Sequence, residues 1–190
     1  MELLEERIRR DGVIHEGDIL KVDSFLNHQM DIGLYVEMAK EWKRLYAGCG
    51  VNKILTIEAS GIGMACIAGE QFGCPVVFAK KSKTRNIAGQ VYTAPVHSYT
   101  HGTDYEVMVS TAFLHPEDRV LLIDDFLANG AALAGLVSIV RQAGATVVGA
   151  GIAIEKAFQP GGDLLRSQGL RIESLARIAA MSVSEGIAFC

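Results

Sequence analysis

Two acids, Asp124 and Asp125, stand side by side directly after the apolar run "RVLLI". Such a run reads as a strand buried on both faces, so the carboxylates sit at its end and not on ordinary surface. Past them, "LANGAALAG" supplies small residues where a backbone has to approach a ligand closely. Asn129-Gly130 favours a sharp turn, and Ala131 and Ala132 lead into a helix. The start of a helix carries about half a positive charge and free N–H donors, enough to hold one phosphate. The competing reading is a plain strand–loop–helix in which Asp124 or Asp125 caps the helix.

Three other stretches hold the same position after a strand. In "EASGIG", Glu58 to Gly63, two glycines open a helix and nearly match a dinucleotide fingerprint. Cys66 stands where the third glycine belongs, however, and about twenty residues on the chain offers Lys80, Lys81 and Lys83 instead of a ribose-binding acid. That argues against a standard nicotinamide site. The exposed N–H groups of the turn still suit phosphate or pyrophosphate, and a tight turn with no ligand is the alternative. "AKKSKTRN" gathers three lysines and Arg85 at the start of a polar stretch of about twenty residues, either a solvated loop or a basic lid over a polyphosphate. In "IEKAFQPGG", Lys156 and Phe158 suit a planar, oxygen-bearing ring, or else are a snorkelling lysine and a core aromatic.

The elements that must position these groups alternate between strand and helix. "DIGLYVEMAKEWKRLYAGCG" puts Ile32, Tyr35, Val36, Ala39, Trp42 and Tyr46 on one helical face, with Asp31 as N-cap and Gly48 as stop. Strands are predicted at "NKILTIEA", "CPVVFAK", "EVMVSTAFL", "RVLLIDDF", "ATVVGAGIAIEK" and, as the last, "LRIESLARI". Helices are predicted at "GIGMACIAGEQFG", "GAALAGLVSIVRQAG" and "GGDLLRSQG". The pattern predicts an α/β fold with a mainly parallel central sheet flanked by helices, whose ligands lie outside the carboxyl ends of the strands.

Composition narrows the class of function. With 190 residues, 49% hydrophobic and a net charge of −4, the chain suits one domain over 1–190 and gives no general reason to expect nucleic-acid or membrane binding. No apolar run reaches transmembrane length, and "MELLEERIRRDG" lacks the form of a signal peptide, so a cytoplasmic location is expected. Cys49, Cys66, Cys74 and Cys190 form no Cys-x-x-Cys pair, so no structural metal site is expected.

"VLLIDDFLANGAA" resembles the motif with which the type I phosphoribosyltransferases bind phosphoribosyl pyrophosphate (PRPP). The likeness runs on through "LKVDSFLNHQ", "ILTIEASGI", "PVVFAKK", "LVSIVRQAGA", "GIAIEKAFQPG" and "ESLARI", in the order of the family's xanthine-using, purine-salvage branch. It departs mainly in the N-terminal helix, the lid stretch and the last residues. The resemblance implies the type I phosphoribosyltransferase fold with a small N-terminal hood (about 1–30) and a flexible lid (about 81–101). It implies transfer from PRPP to xanthine, giving xanthosine 5'-monophosphate and pyrophosphate, with Mg2+ held mainly by PRPP, in a homodimer.

Residue by residue, it implies that Ala128, Asn129, Gly130, Ala131 and Ala132 form the PRPP loop. Leu20, Asn27 and Lys156 would contact the base, and Ser60, Gly61, Lys80 and Lys81 the pyrophosphate. Tyr99 falls where the family often has a lid aromatic. Asp124 and Asp125 would hold the ribose and favour the positive charge that develops on it, a preorganised electrostatic effect. Hypoxanthine and guanine, or adenine, as acceptor are the alternatives within the family. A non-enzymatic PRPP sensor is the alternative outside it, although such repressors carry a basic winged helix that the short, mixed-charge N-terminal helix does not match.

Overall fold

The computed structural model describes residues 1–81, 89–98 and 103–190. Among these, six strands form a sheet in the order β10-β9-β8-β7-β3-β4. They are β3 (Lys53–Ile57), β4 (Val76–Ala79), β7 (Arg119–Leu127), β8 (Thr146–Lys156), β9 (Ile172–Ser182) and β10 (Gly186–Phe189). The five strands from β9 to β4 are parallel, and β10 closes one edge antiparallel to β9. This sheet agrees with the sequence expectation except for β10, a short strand beyond the predicted last one.

Both faces are covered, which is why the strands read as unbroken apolar runs. Along β7, Leu121 and Ile123 enter one core while Val120 and Leu122 enter the other. The first core is roofed by α1 (Glu2–Asp11), α2 (Ile32–Leu45) and α3 (Gly61–Phe72), the second by α4 (Ala131–Gln142) and the ribbon of β5 (Val91–Ser98) and β6 (Thr103–Ser110). Asp31 caps α2 as expected, its Oδ1 accepting the Leu34 N–H at 3.1 Å. The buried face of α2 is rotated from the expected one: Leu34, Tyr35, Met38, Ala39 and Trp42 point inward, and Ile32 is exposed in the first turn.

The polar stretch after Lys81 is also more structured than a loop. From Val91 to Ser98 it is a strand paired antiparallel with β6, with Ala94 and Val96 buried and Pro95 and His97 exposed. That alternation is the period of a half-buried strand, and its proline is acceptable because, among the described residues, β5 pairs with a neighbouring strand on one side only.

Before α2 the chain makes a small antiparallel pair, β1 (Val13–His15) and β2 (Ile19–Lys21), and a wide helical turn at Asp23–Asn27. Leu20, Val22, Phe25 and Leu26 bury their side chains in the first core, fixing this segment near the carboxyl ends of β7 and β8. Among the described residues no helix is long and apolar enough to cross a membrane.

Candidate active site

The carboxyl ends of the parallel strands bring most of the predicted residues together. At the end of β7 the two acids occupy different environments. Asp124 is 6% exposed, and Asp125 is more open. Each accepts a backbone N–H: Asp125 N donates to Asp124 Oδ1 at 3.0 Å, and Phe126 N to Asp125 Oδ1 at 3.0 Å. Burial, and after it the neighbouring Asp125 charge, push the Asp124 carboxyl well above the usual carboxylate range, while Lys81 pulls it down. Neither acid caps α4. That role falls to Asn129, whose Oδ1 accepts the Ala131 N–H at 3.0 Å, and to Gly130, which takes a left-handed conformation at φ +84°.

After β3, Ser60 and Gly61 form the turn into α3. Gly61 lies against the acids: a Cβ there would collide with Thr56 Oγ1 and stand 3.4 Å from Asp124 Oδ1. Glu58 Oε1 accepts the Lys81 N–H at 2.6 Å, joining the ends of β3 and β4. The two lysines after β4 then part. Lys81 sets its ammonium 5.3 Å from the Tyr105 ring, and Tyr105 in turn feels the Asp124 charge. Lys80 pairs its backbone with Met108 and lays its ammonium 5.9 Å from the Phe78 ring, along the outer edge of β4. Consecutive residues of an extended chain face opposite ways, so Lys81 alone is brought toward the acids. Lys83, Arg85, Tyr99 and Thr100 lie outside the described residues.

The N-terminal segment reaches the site at two points. Asn27 Nδ2 donates to Asp125 Oδ2 at 3.3 Å, and Lys156 Nζ donates to the Asp18 carbonyl at 2.6 Å. Leu20 is 7% exposed, its side chain packed in the core, so its backbone is what it can offer a ligand. Lys156 is half-buried, and burial lowers its pKa. The aromatic ring beside it is Phe126, 5.8 Å away, and not the Phe158 singled out from the sequence, which is exposed. Sequence reasoning also missed Glu58, Tyr105, Phe126 and the Asp18 carbonyl. Of these, Glu58 and Phe126 stood in stretches already marked by their position at a strand's end.

The arrangement sets a helix-start loop of small residues, an acid pair, a lysine and an amide at the carboxyl ends of β7 and β8. It can hold a phosphate at the loop, offset positive charge at the acids, and donate to an oxygen-bearing ring from Lys156 and Asn27.

Comparison with known proteins adds similarity over almost the entire length. A family model for the phosphoribosyl transferase domain matches residues 26–163. The chain is 55% identical to the xanthine phosphoribosyltransferase of Lachnoclostridium phytofermentans, covering 98% of this chain and 96% of that one. It is 52% identical to the xanthine phosphoribosyltransferase of Bifidobacterium longum subsp. infantis, over 98% of this chain and 97% of that one. Among solved structures, adenine phosphoribosyltransferase from Thermoanaerobacter pseudethanolicus superposes with a TM-score of 0.74 at 17% identity, covering 92% of this chain and 99% of that one. The Trypanosoma brucei adenine enzyme gives 0.75 at 16%, covering 92% and 79%. Likeness at that identity speaks for the shared fold and not for the base.

Proposed function

We infer the reaction from one premise: the chain belongs to the phosphoribosyltransferase family and has its type I fold. It is a pentosyltransferase of purine salvage, which moves the 5-phosphoribosyl group of PRPP onto xanthine and releases xanthosine 5'-monophosphate and pyrophosphate. The observation that carries this reading is 52–55% identity to xanthine phosphoribosyltransferases over at least 95% of the chain.

In the mechanism we propose, a xanthine ring nitrogen attacks C1 of the ribose as the C1–pyrophosphate bond breaks, and the nitrogen's proton is released. Positive charge gathers on the ribose along the way. Asp125, open to the site and adjacent to the ribose, offsets that charge, and Asp124 behind it holds the sugar with Asp125. Residues Ala128 to Ala132 hold the 5'-phosphate through backbone N–H groups at the start of α4. Ser60, Gly61 and Lys81 receive the pyrophosphate. Lys80 joins them only if the segment after β4 rearranges on binding, because its ammonium rests over Phe78. Lys156 and Asn27 donate to the oxygens of xanthine, which selects an oxopurine over adenine.

The donor chemistry fits a magnesium ion carried in with PRPP. The acids are hard oxygen donors, yet among the described residues no three His, Cys, Asp or Glu side chains are gathered to cage a metal. Most ligands would therefore be substrate oxygens and water, and Asp125, the more open of the two acids, is the protein group that would join them. When bound, the ion neutralises charge on the pyrophosphate. The same family reading gives a homodimer acting in the cytoplasm, with the N-terminal segment as a hood and the stretch of about 81–101 as a lid.

The acceptor is tested by measuring kcat/KM for xanthine, guanine, hypoxanthine and adenine at saturating PRPP. Xanthine is expected to lead. A higher value for any other base overturns the assignment, and DNA retention at physiological salt with no turnover of any base points to a PRPP-sensing regulator instead.

A further inference from the structure

The loop from Ala128 to Ala132 has no long side chain to anchor it, and apart from the Asn129 cap its shape is set from beneath by α5 (Gly161–Ser167). Gly161 N donates to the Ala128 carbonyl at 3.1 Å. Its α-carbon lies so close that a Cβ would press into the Ala128 oxygen and the Asn129 carbonyl carbon and stand 2.5 Å from Gly130 N. Gly130 meets it from the other side, where a Cβ would lie 3.2 Å from the Gly161 α-carbon and 3.0 Å from Leu165 Cδ1. Two glycines thus let backbone bear directly on backbone at the turn into α4.

A two-turn helix does not hold its place by its own stability. Leu165 buries its side chain in the second core, and Arg166 ties the helix to the sheet through a bidentate pair with Glu155, Nη1–Oε1 at 2.6 Å and Nη2–Oε2 at 2.7 Å. Glu155 is 1% exposed and is also held by Ser174 Oγ at 2.5 Å and Arg177 Nε at 3.3 Å. Gly162 fits the helix onto this pair, since a Cβ there would stand 2.7 Å from Arg166 Nη1. Glu155 immediately precedes Lys156 on β8, so one rigid connection runs from the lysine's strand through the ion pair and α5 to the loop.

We propose that α5 is a brace that sets the phosphate loop, with Gly161 as its bearing point and Glu155–Arg166 as its tie to the strand that carries Lys156. These are positioning residues for the 5'-phosphate and touch no substrate. The proposal rests on the assignment of Ala128–Ala132 to that phosphate.

The test is calorimetric binding of two separate probes, ribose 5-phosphate and magnesium pyrophosphate, to the full chain, its Gly161→Ala variant and its Arg166→Met variant. A misplacement of about 1 Å can weaken an aligned site as much as 100-fold, so Gly161→Ala is expected to weaken ribose 5-phosphate by tenfold or more. Arg166→Met acts at longer range and is expected to weaken it several-fold, with Arg166→Lys restoring part of the loss. Pyrophosphate binding stays within twofold in all three, which a merely structural defect would not spare. Arg166 is 29% exposed, so its replacement keeps the brace testable should Gly161→Ala fail to fold. Variants that bind ribose 5-phosphate like the unmodified chain, or lose both probes alike, overturn the brace. An unmodified chain that binds pyrophosphate but no ribose 5-phosphate overturns the loop assignment beneath it.

Discussion

Asp125→Asn lowers turnover by about 10²- to 10³-fold, the loss typical of removing one preorganised group from a developing charge, and leaves the folded chain as stable as before. The amide oxygen still accepts the Phe126 N–H, and its NH2 pairs with Asn27 once Asn27 turns its own oxygen toward it, so both partners are kept while the negative charge is lost. That charge matters chiefly when the ribose becomes electron-poor, so kcat falls more than the affinity for PRPP. Asp124→Asn separates the two acids. The Asp124 carboxyl is buried and raised above the range it has in an unfolded chain, so the fold holds its proton more tightly than the unfolded state does. Its ionisation therefore opposes folding: the fold is favoured below the unfolded carboxyl value near 3.8 and loses that advantage as pH rises through the raised value. Asparagine removes this dependence and keeps the acceptor for the Asp125 N–H. The expected result is a higher thermal midpoint at neutral pH, a flatter stability profile above pH 4, and reduced turnover. Unchanged turnover in Asp125→Asn would contradict the role given to the acids.

The second large effect is at the base. Lys156→Met raises the KM for xanthine by about 10- to 100-fold, the range for losing a hydrogen bond from a charged donor, and moves the KM for PRPP by less than about twofold. Methionine keeps the length and the apolar packing near Phe126 while deleting the ammonium that now rests on the Asp18 carbonyl. The preference for xanthine over adenine narrows with it. Equal rises in both KM values would mean that Lys156 holds the N-terminal segment in place and does not read the base.

How far each feature was legible in the sequence follows from the range of the interaction behind it. The run before Asp124 and the small residues after Asn129 are local signals, and the structure puts the acids and the loop on β7 and α4 where those signals placed them. Asp31 at the start of α2 is local too. Ile32 misled because it satisfies helical spacing yet lies in the first turn, beyond the edge of the core. The strand from Val91 to Ser98 was hidden by its polar composition, although its alternate residues carry a strand's period. Most of the base side of the site is not local. Asn27 meets Asp125, and Asp18 meets Lys156, across 98 and 138 residues, and no spacing within a segment encodes either meeting. Gly161 was passed over for the same reason, since its partner is a loop some thirty residues earlier in the chain.

The most direct measurement is a product assay on the purified chain supplied with xanthine, PRPP and magnesium. Xanthosine 5'-monophosphate and pyrophosphate formed in equal amounts are the predicted result. No nucleotide from xanthine, under conditions where another purine is converted or PRPP is bound without turnover, would contradict the account.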